Sequence, residues 1–116
     1  MSNQVKIKVT DLIGKRICIS VEDAQKLFSK VEQLIKDEKQ ITISFKDITI
    51  ITACFLNIAI GQLYGSFSED IVRSQLKVEG LSPDDMGLLK RVVDNAKKHY
   101  LRKGKNEEQL QKGETK

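Results

Sequence analysis

Several features that would place a protein in a functional class are missing from this sequence. Its 116 residues contain no tryptophan, one proline and one histidine, so this chain alone cannot build a multi-histidine metal site. No apolar run approaches the ~18 residues that a membrane-spanning helix needs. The N-terminus alternates polar and apolar residues, whereas a secretory signal is continuously apolar. We therefore expect a cytoplasmic protein with no membrane association.

The cysteines are also few. Cys18 and Cys54 both lie in apolar stretches, and isolated cysteines in such stretches are typical of small buried hydrophobic side chains. We expect two buried free thiols in a reducing compartment rather than a disulfide framework.

No pattern for catalysis or cofactor binding is present. The chain has no glycine-rich phosphate loop and no HExxH, CxxC or DxDxDG spacing. His99 lies among Lys97, Lys98 and Arg102 on the polar side of the last predicted helix, where we expect a solvated side chain. The sequence therefore predicts a protein that is not an enzyme, has no catalytic residue and holds neither metal nor cofactor.

The apolar periodicity predicts alternating strands and helices. Strands are expected over 4–9, 15–20, 40–45 and 75–79, and helices over 21–37, 53–67 and 83–102. The first two strands are separated only by a turn at 11–14, which favours an antiparallel hairpin. Ser20 is expected to cap the first helix, and the run from Ser82 to Asp85 is a typical helix start.

This order of elements predicts an α/β fold: a single-layer mixed β-sheet of about four strands, with three to four helices packed on it. Residues 1–102 are expected to form one domain. Residues 103–116 are expected to form a disordered charged tail, because from Gly104 onward the sequence has one leucine and no periodicity.

The passage from strand to helix around Thr52 is the most informative stretch. A helix that begins at the end of a strand presents its free N–H groups at the surface, where a hydroxyl can cap it or accept a phosphate. We expect Thr52 to cap this helix, with phosphorylation of Thr52 as the alternative. Ala53, Asn57 and Gly61 recur every fourth residue and form a stripe of small, weakly polar side chains. Such a stripe suits close approach of another backbone, either a partner's or that of the domain's own first helix.

The order of elements and the stretch ISFKDITIITACFLNIAIG over 43–61 resemble the STAS domains. STAS is the fold of anti-sigma factor antagonists and of the cytoplasmic tails of sulphate transporters. The resemblance covers roughly residues 4–101 and is closer to the free-standing STAS-like family often found with histidine-kinase-type ATPases. It implies a regulatory protein–protein interaction module that docks an ATP-binding, kinase-like partner and takes part in partner switching.

In the antagonists the same junction reads Asp-Ser-Ser-Gly-Leu, and the partner kinase phosphorylates the first serine. Here Thr52 falls at the Asp position and Ala53, which has no hydroxyl, at the acceptor position. Either Thr52 accepts the phosphate instead, or docking is constitutive, or regulation lies elsewhere. The resemblance implies a partner-binding face made of Thr52, Ala53, Cys54, Asn57 and Gly61.

The last predicted helix is strongly basic, with seven Lys/Arg and one acid between Lys90 and Lys105. The leading interpretation is a solvated helix face with no nucleic-acid partner. The alternative is a nucleic-acid-associated protein, whose binding would weaken steeply with salt. That protein would use Lys90, Arg91, Lys97, Lys98 and Arg102.

Overall fold

The structure, a computed structural model, describes residues 3–114, with side chains described through Tyr100. Its strands are β1 (Gln4–Lys8), β2 (Ile17–Cys18), β3 (Gln40–Ser44), β4 (Ile50–Ile51) and β5 (Leu76–Glu79). Its helices are α1 (Val9–Ile13), α2 (Val21–Lys36), α3 (Ala53–Leu56), a π-helix (Asn57–Gly61), α4 (Leu63–Ser66), α5 (Glu69–Gln75) and α6 (Pro83–Glu114). The α/β class is therefore confirmed. None of the helices in the described part is long and apolar enough to cross a membrane.

Strand pairing differs from the prediction. β1, β3 and β5 form one parallel sheet in that order, and β2 and β4 form a second, two-stranded parallel sheet. The predicted antiparallel hairpin and the single mixed sheet are wrong. The chain leaves β1 through α1 instead of a tight turn, and Gly14 ends α1 in the left-handed conformation (φ 71°). β2 therefore does not return along β1 but pairs with β4.

The three-stranded sheet has an apolar and a polar face. Ile7, Ile43 and Val78 share one register position and one face, and Lys6, Thr42 and Lys77 share the next position on the other face. The connections β1→β3 and β3→β5 move across the sheet in the same direction. Because parallel crossovers are right-handed, both put their helices on the same side. The polar face is left to water.

The core lies between this sheet and the helices. α2 turns Ala24, Leu27, Val31 and Ile35 inward, as its periodicity predicted, whereas Val21 at its start is exposed. The Oγ of Ser20 accepts a hydrogen bond from the N–H of Asp23 (3.2 Å) and caps α2. α2 and α6 both pack against the helical segment 53–66. That segment is helical as predicted, but its π-helix was not anticipated.

α6 begins where the sequence predicted. Pro83 is its first residue, and the Oγ of Ser82 accepts a hydrogen bond from the N–H of Asp85 (3.1 Å). The helix continues to Glu114, beyond residue 102, where the predicted helix ends. The predicted tail is rich in Lys, Glu and Gln, which are good helix formers even without an apolar stripe. Residues 115 and 116 of the predicted tail lie outside the described residues.

Candidate functional site

Thr52 joins β4 to α3 through two hydrogen bonds. Its backbone N–H donates to the carbonyl of Cys18 (3.2 Å), which extends the β2–β4 pairing by one residue. Its Oγ1 accepts from the N–H of Phe55 (3.1 Å) and satisfies one of the free amides at the start of α3. The predicted role of Thr52 as helix cap is confirmed.

The outer face of the β2–β4 sheet is apolar and open to solvent. Ile17 pairs with Ile50 in register, and Ile19 follows two residues later on the same face, opposite the buried Cys18. Ile19 is 50% exposed and Ile50 is 54% exposed. Few other large hydrophobic side chains in the described part of the chain have so large an exposed fraction.

Exposed apolar side chains also stand at the start of α2, which follows β2, and at the start of α3, which follows β4. Val21 is the first residue of α2 and is 48% exposed. Ala53 and Cys54, the first residues of α3, are also exposed. We call Ile19, Val21, Ile50, Ala53 and Cys54 the junction patch. It borders Thr52, which is half-buried.

The two cysteines have different environments. Cys18 is fully buried, as predicted, and burial, reinforced by the negative charge of Asp23, raises the pKa of its thiol to about 12. Cys54 is exposed, so its predicted burial is wrong. The apolar residues around Cys54 in the sequence face inward from the other side of α3, as Phe55 and Leu56 show.

The small-residue stripe does not lie on one open face. Asn57 is exposed, but Gly61 is buried. A Cβ added to Gly61 would lie 2.7 Å from Oδ1 of Asn57 and 3.6 Å from Cβ of Ala96. Gly61 therefore faces α6, where an added Cβ would contact the side chain of Ala96. The expectation that Gly61 contacts a partner is corrected on this ground.

The π-helix begins at Asn57. The N–H of Gln62 donates to the carbonyl of Asn57 (3.0 Å), a bond that spans five residues instead of four. This widened turn shifts the helical register between α3 and α4. Ala59 and Ile60 consequently face inward together with Gly61.

The basic residues of α6 differ in whether they form ion pairs. Nζ of Lys97 lies 2.9 Å from the carboxylate of Glu69, and this hydrogen-bonded ion pair raises the pKa of Lys97 and lowers that of Glu69. Lys90, Arg91 and Lys98 are exposed and form no ion pair with the described side chains. The side chain of Arg102 lies outside the described part. The basic residues of α6 therefore differ in availability, because the charge of Lys97 is paired with Glu69 whereas Lys90, Arg91 and Lys98 are exposed.

His99 is exposed, as expected, and its ring meets that of Tyr100 edge to face with centroids 4.8 Å apart. Among the residues whose side chains are described, no group of three or more His, Cys, Asp and Glu could hold a metal ion.

Sequence reasoning missed the isoleucines and the valine of the junction patch. One signal was available, because the strand around Cys18 is apolar at consecutive positions, Ile17, Cys18 and Ile19. A strand that is apolar on both faces must have its second face either covered or exposed to a partner. For a strand this short beside a helix start, the sequence does not indicate whether the second face is covered by the chain itself or exposed.

Comparison with known proteins gives one match. A family model described as a STAS-like domain of unknown function (DUF4325) matches residues 23–86, more than half of the chain. The matched range includes α2 from Asp23 onward, β3, the Thr52 junction and β5. Searches of curated proteins and of solved structures found no match.

Proposed function

This chain belongs to the STAS-like domain family of unknown function, and on that premise we propose that it is a non-catalytic regulatory module that docks another protein through the junction patch. The supporting observation is the position of the apolar side chains. Ile19 and Ile50, each about half exposed, lie on the outer face of the β2–β4 sheet beside Thr52. Apolar side chains clustered at one surface position mark interaction sites more often than scattered ones do.

The geometry of the patch suits a docking surface. Its backbone is held by the β2–β4 pairing and by the cap on α3, so its apolar side chains are presented from rigid elements. A preorganised surface loses little conformational entropy when a partner binds. The exposed Asn57 lies one turn further along the helical segment and adds a hydrogen-bonding group at the rim.

For the partner, we propose an ATP-binding protein of the histidine-kinase type, the class that the STAS resemblance implies. The regulatory step would be transfer of the γ-phosphoryl group of ATP to Oγ1 of Thr52, with ADP as the other product and the hydroxyl proton released. A phosphate would add about −1.5 to −2 charges beside Ile19 and Ile50. Charge at an apolar interface disfavours docking, so the modified form would release its partner.

The docking experiment compares two exposed isoleucines. Wild-type protein and the Ile50→Lys and Ile71→Lys variants are immobilised and incubated with native lysate from the source cells. Ile71 lies on α5, outside the junction patch, and is 41% exposed. We expect the wild type and Ile71→Lys to retain the same ATP-binding protein, identified by mass spectrometry, and Ile50→Lys to lose it.

Two results would contradict different parts of the proposal. Capture of the same protein by a folded Ile50→Lys variant would show that the junction patch is not the docking surface. Specific capture of a protein that binds no ATP would support the junction patch as the docking surface but contradict the proposal that the partner is an ATP-binding protein.

The phosphorylation step is tested separately. The protein is incubated with the captured ATPase and ATP, and its intact mass is measured. We expect one added phosphate, lost in Thr52→Ala.

A further inference from the structure

Both tyrosines of the chain line one cleft, and none of the residues that line it belongs to the junction patch. The cleft has a volume of about 270 Å³ and lies between the α4–α5 connection and α6. We call it the aromatic cleft. It is lined by Tyr64, Phe67, Ser68, Glu69, Lys97 and Tyr100. This volume lies just below the about 300–1,000 Å³ that is usual for ligand pockets, so the cleft has room for a small metabolite and not for a large cofactor.

The aromatic wall is held in place by a glycine. A Cβ added to Gly65 would lie 2.5 Å from Cε1 of Tyr100, so the tyrosine ring rests directly on the backbone of α4. Glycine inside a helix costs about 1 kcal/mol relative to alanine. Close packing of the Tyr100 ring is a physical reason for glycine at this position. The ring forms one side of the cleft, with Tyr64 and Phe67 among its other aromatic residues.

The polar groups of the cleft carry opposite charges side by side. Nζ of Lys97 lies 2.9 Å from Oε2 of Glu69, and Nη1 of Arg73 lies 3.8 Å from the same oxygen. Oε1 of Glu69 forms no hydrogen bond with the described residues. The side chains of Glu69 and Lys97 are 43% and 35% exposed, so a ligand can reach both.

From this arrangement we propose that the aromatic cleft binds an apolar α-amino acid as its zwitterion. The ligand ammonium group would meet Oε1 of Glu69, its carboxylate would meet Nζ of Lys97, and its side chain would lie among the aromatic rings. A ligand with a single charge would always face one like-charged neighbour, whereas a zwitterion pairs with both charges. Charge-assisted hydrogen bonds of this kind are about twice as strong as neutral ones.

The chain provides its own optical probe for this site. It contains two tyrosines and no tryptophan, so its intrinsic fluorescence comes from Tyr64 and Tyr100, which both line the cleft. The experiment titrates the full chain with leucine and follows tyrosine emission. N-acetyl-leucine lacks the ammonium group, leucinamide lacks the carboxylate, and glycine lacks the apolar side chain. We expect saturation with leucine and at least about tenfold weaker binding of the other three compounds.

Matched variants assign the two charges. Glu69→Gln and Lys97→Met are each expected to weaken leucine binding by about tenfold or more, because each removes one charged partner. Lys98→Met, an exposed neighbour on α6 that does not line the cleft, is expected to bind like the wild type. Far-UV circular dichroism establishes that each variant is folded.

Three results would overturn the proposal. The first is the absence of any saturable change with leucine, and the second is equal binding of N-acetyl-leucine or leucinamide. The third is unchanged leucine affinity in folded Glu69→Gln and Lys97→Met variants. None of these results bears on the junction patch, because the two sites share no residue.

Discussion

Gly61 and Ala96 bring the π-helix and α6 into close contact: a Cβ added to Gly61 would lie 3.6 Å from the Cβ of Ala96. Both residues are buried. Small side chains at this crossing allow the last helix to pack on the helical segment 53–66, and through it on the core. The crossing therefore contributes to stability, while the exposed start of α3 remains free to contact other molecules.

The first prediction concerns this crossing. Gly61→Leu is expected to lower the free energy of unfolding by about 1–3 kcal/mol, because a larger side chain overpacks the contact with α6. The measurement is urea denaturation followed by circular dichroism. Gly87→Ala is the control: it lies in α6, and an added Cβ there meets nothing within 4 Å. We expect it to stabilise by up to about 1 kcal/mol. An unchanged free energy of unfolding in Gly61→Leu would contradict the close packing of Gly61 against α6.

The second prediction concerns the cap on α3. Thr52→Ala removes the Oγ1 that accepts from the N–H of Phe55, and we expect it to cost about 1 kcal/mol of unfolding free energy. Thr52→Ser keeps the hydroxyl and is expected to lose much less. Chemical denaturation of the two variants beside the wild type measures both values. Equal losses in the two variants would mean that the hydroxyl does not stabilise the helix start.

The third prediction separates the two thiols. Iodoacetamide added to the native protein is expected to modify Cys54, which is exposed, and to leave Cys18, which is buried. After denaturation in guanidinium chloride, both should react. Intact mass and peptide mapping give the number and the positions of the added groups. Modification of Cys18 in the native protein at the rate of Cys54 would show that β2 is not covered as described.

The fourth prediction is a pH dependence from Cys18. Burial, together with the negative charge of Asp23, raises the pKa of its thiol from 9.0 to about 12. Above the unfolded pKa the unfolded chain loses this proton while the folded chain keeps it. The free energy of unfolding therefore falls as pH rises through this window, by about 1.4 kcal/mol per pH unit from this group. Below the window the group has no effect.

Comparison with Cys18→Ala isolates that contribution, because lysines and tyrosines also titrate at high pH. Urea denaturation of both proteins is measured at several pH values between about 8 and 11. The wild type should lose stability more steeply than Cys18→Ala above about pH 9. Parallel curves for the two proteins would exclude a buried neutral thiol at this position.

The sequence was sufficient for most of the local structure. The caps at Ser20, Thr52 and Ser82 were all predicted and are all found, because a cap depends on hydrogen bonds that span three residues. The apolar stripe of α2 was equally clear. The π-helix was not, because a five-residue hydrogen bond leaves no composition signal in so short a segment.

The candidate site could be only partly predicted. Thr52, Ala53 and Asn57 lie at or near the surface as expected, because a helix that follows a strand must begin there. Gly61 could have packed against any of several helices, and only its distance to Ala96 identifies α6. The exposed isoleucines of the junction patch required knowledge of the strand pairing, since the same apolar pattern also fits a covered strand.

By itself, then, the sequence determined where β1, β3 and the helical segments from 21, 53 and 83 begin, which side of α2 faces the core, and the STAS-like character of the chain. These properties depend on neighbours within a few residues or on the order of elements. Only the tertiary structure decided that β2 pairs with β4 and not with β1, and hence that Ile19 and Ile50 form one open face. Alternation marks the apolar face of a strand, but it does not identify the partner strand. In this chain that partner is more than 30 residues away, as the bond from Thr49 to Arg16 shows.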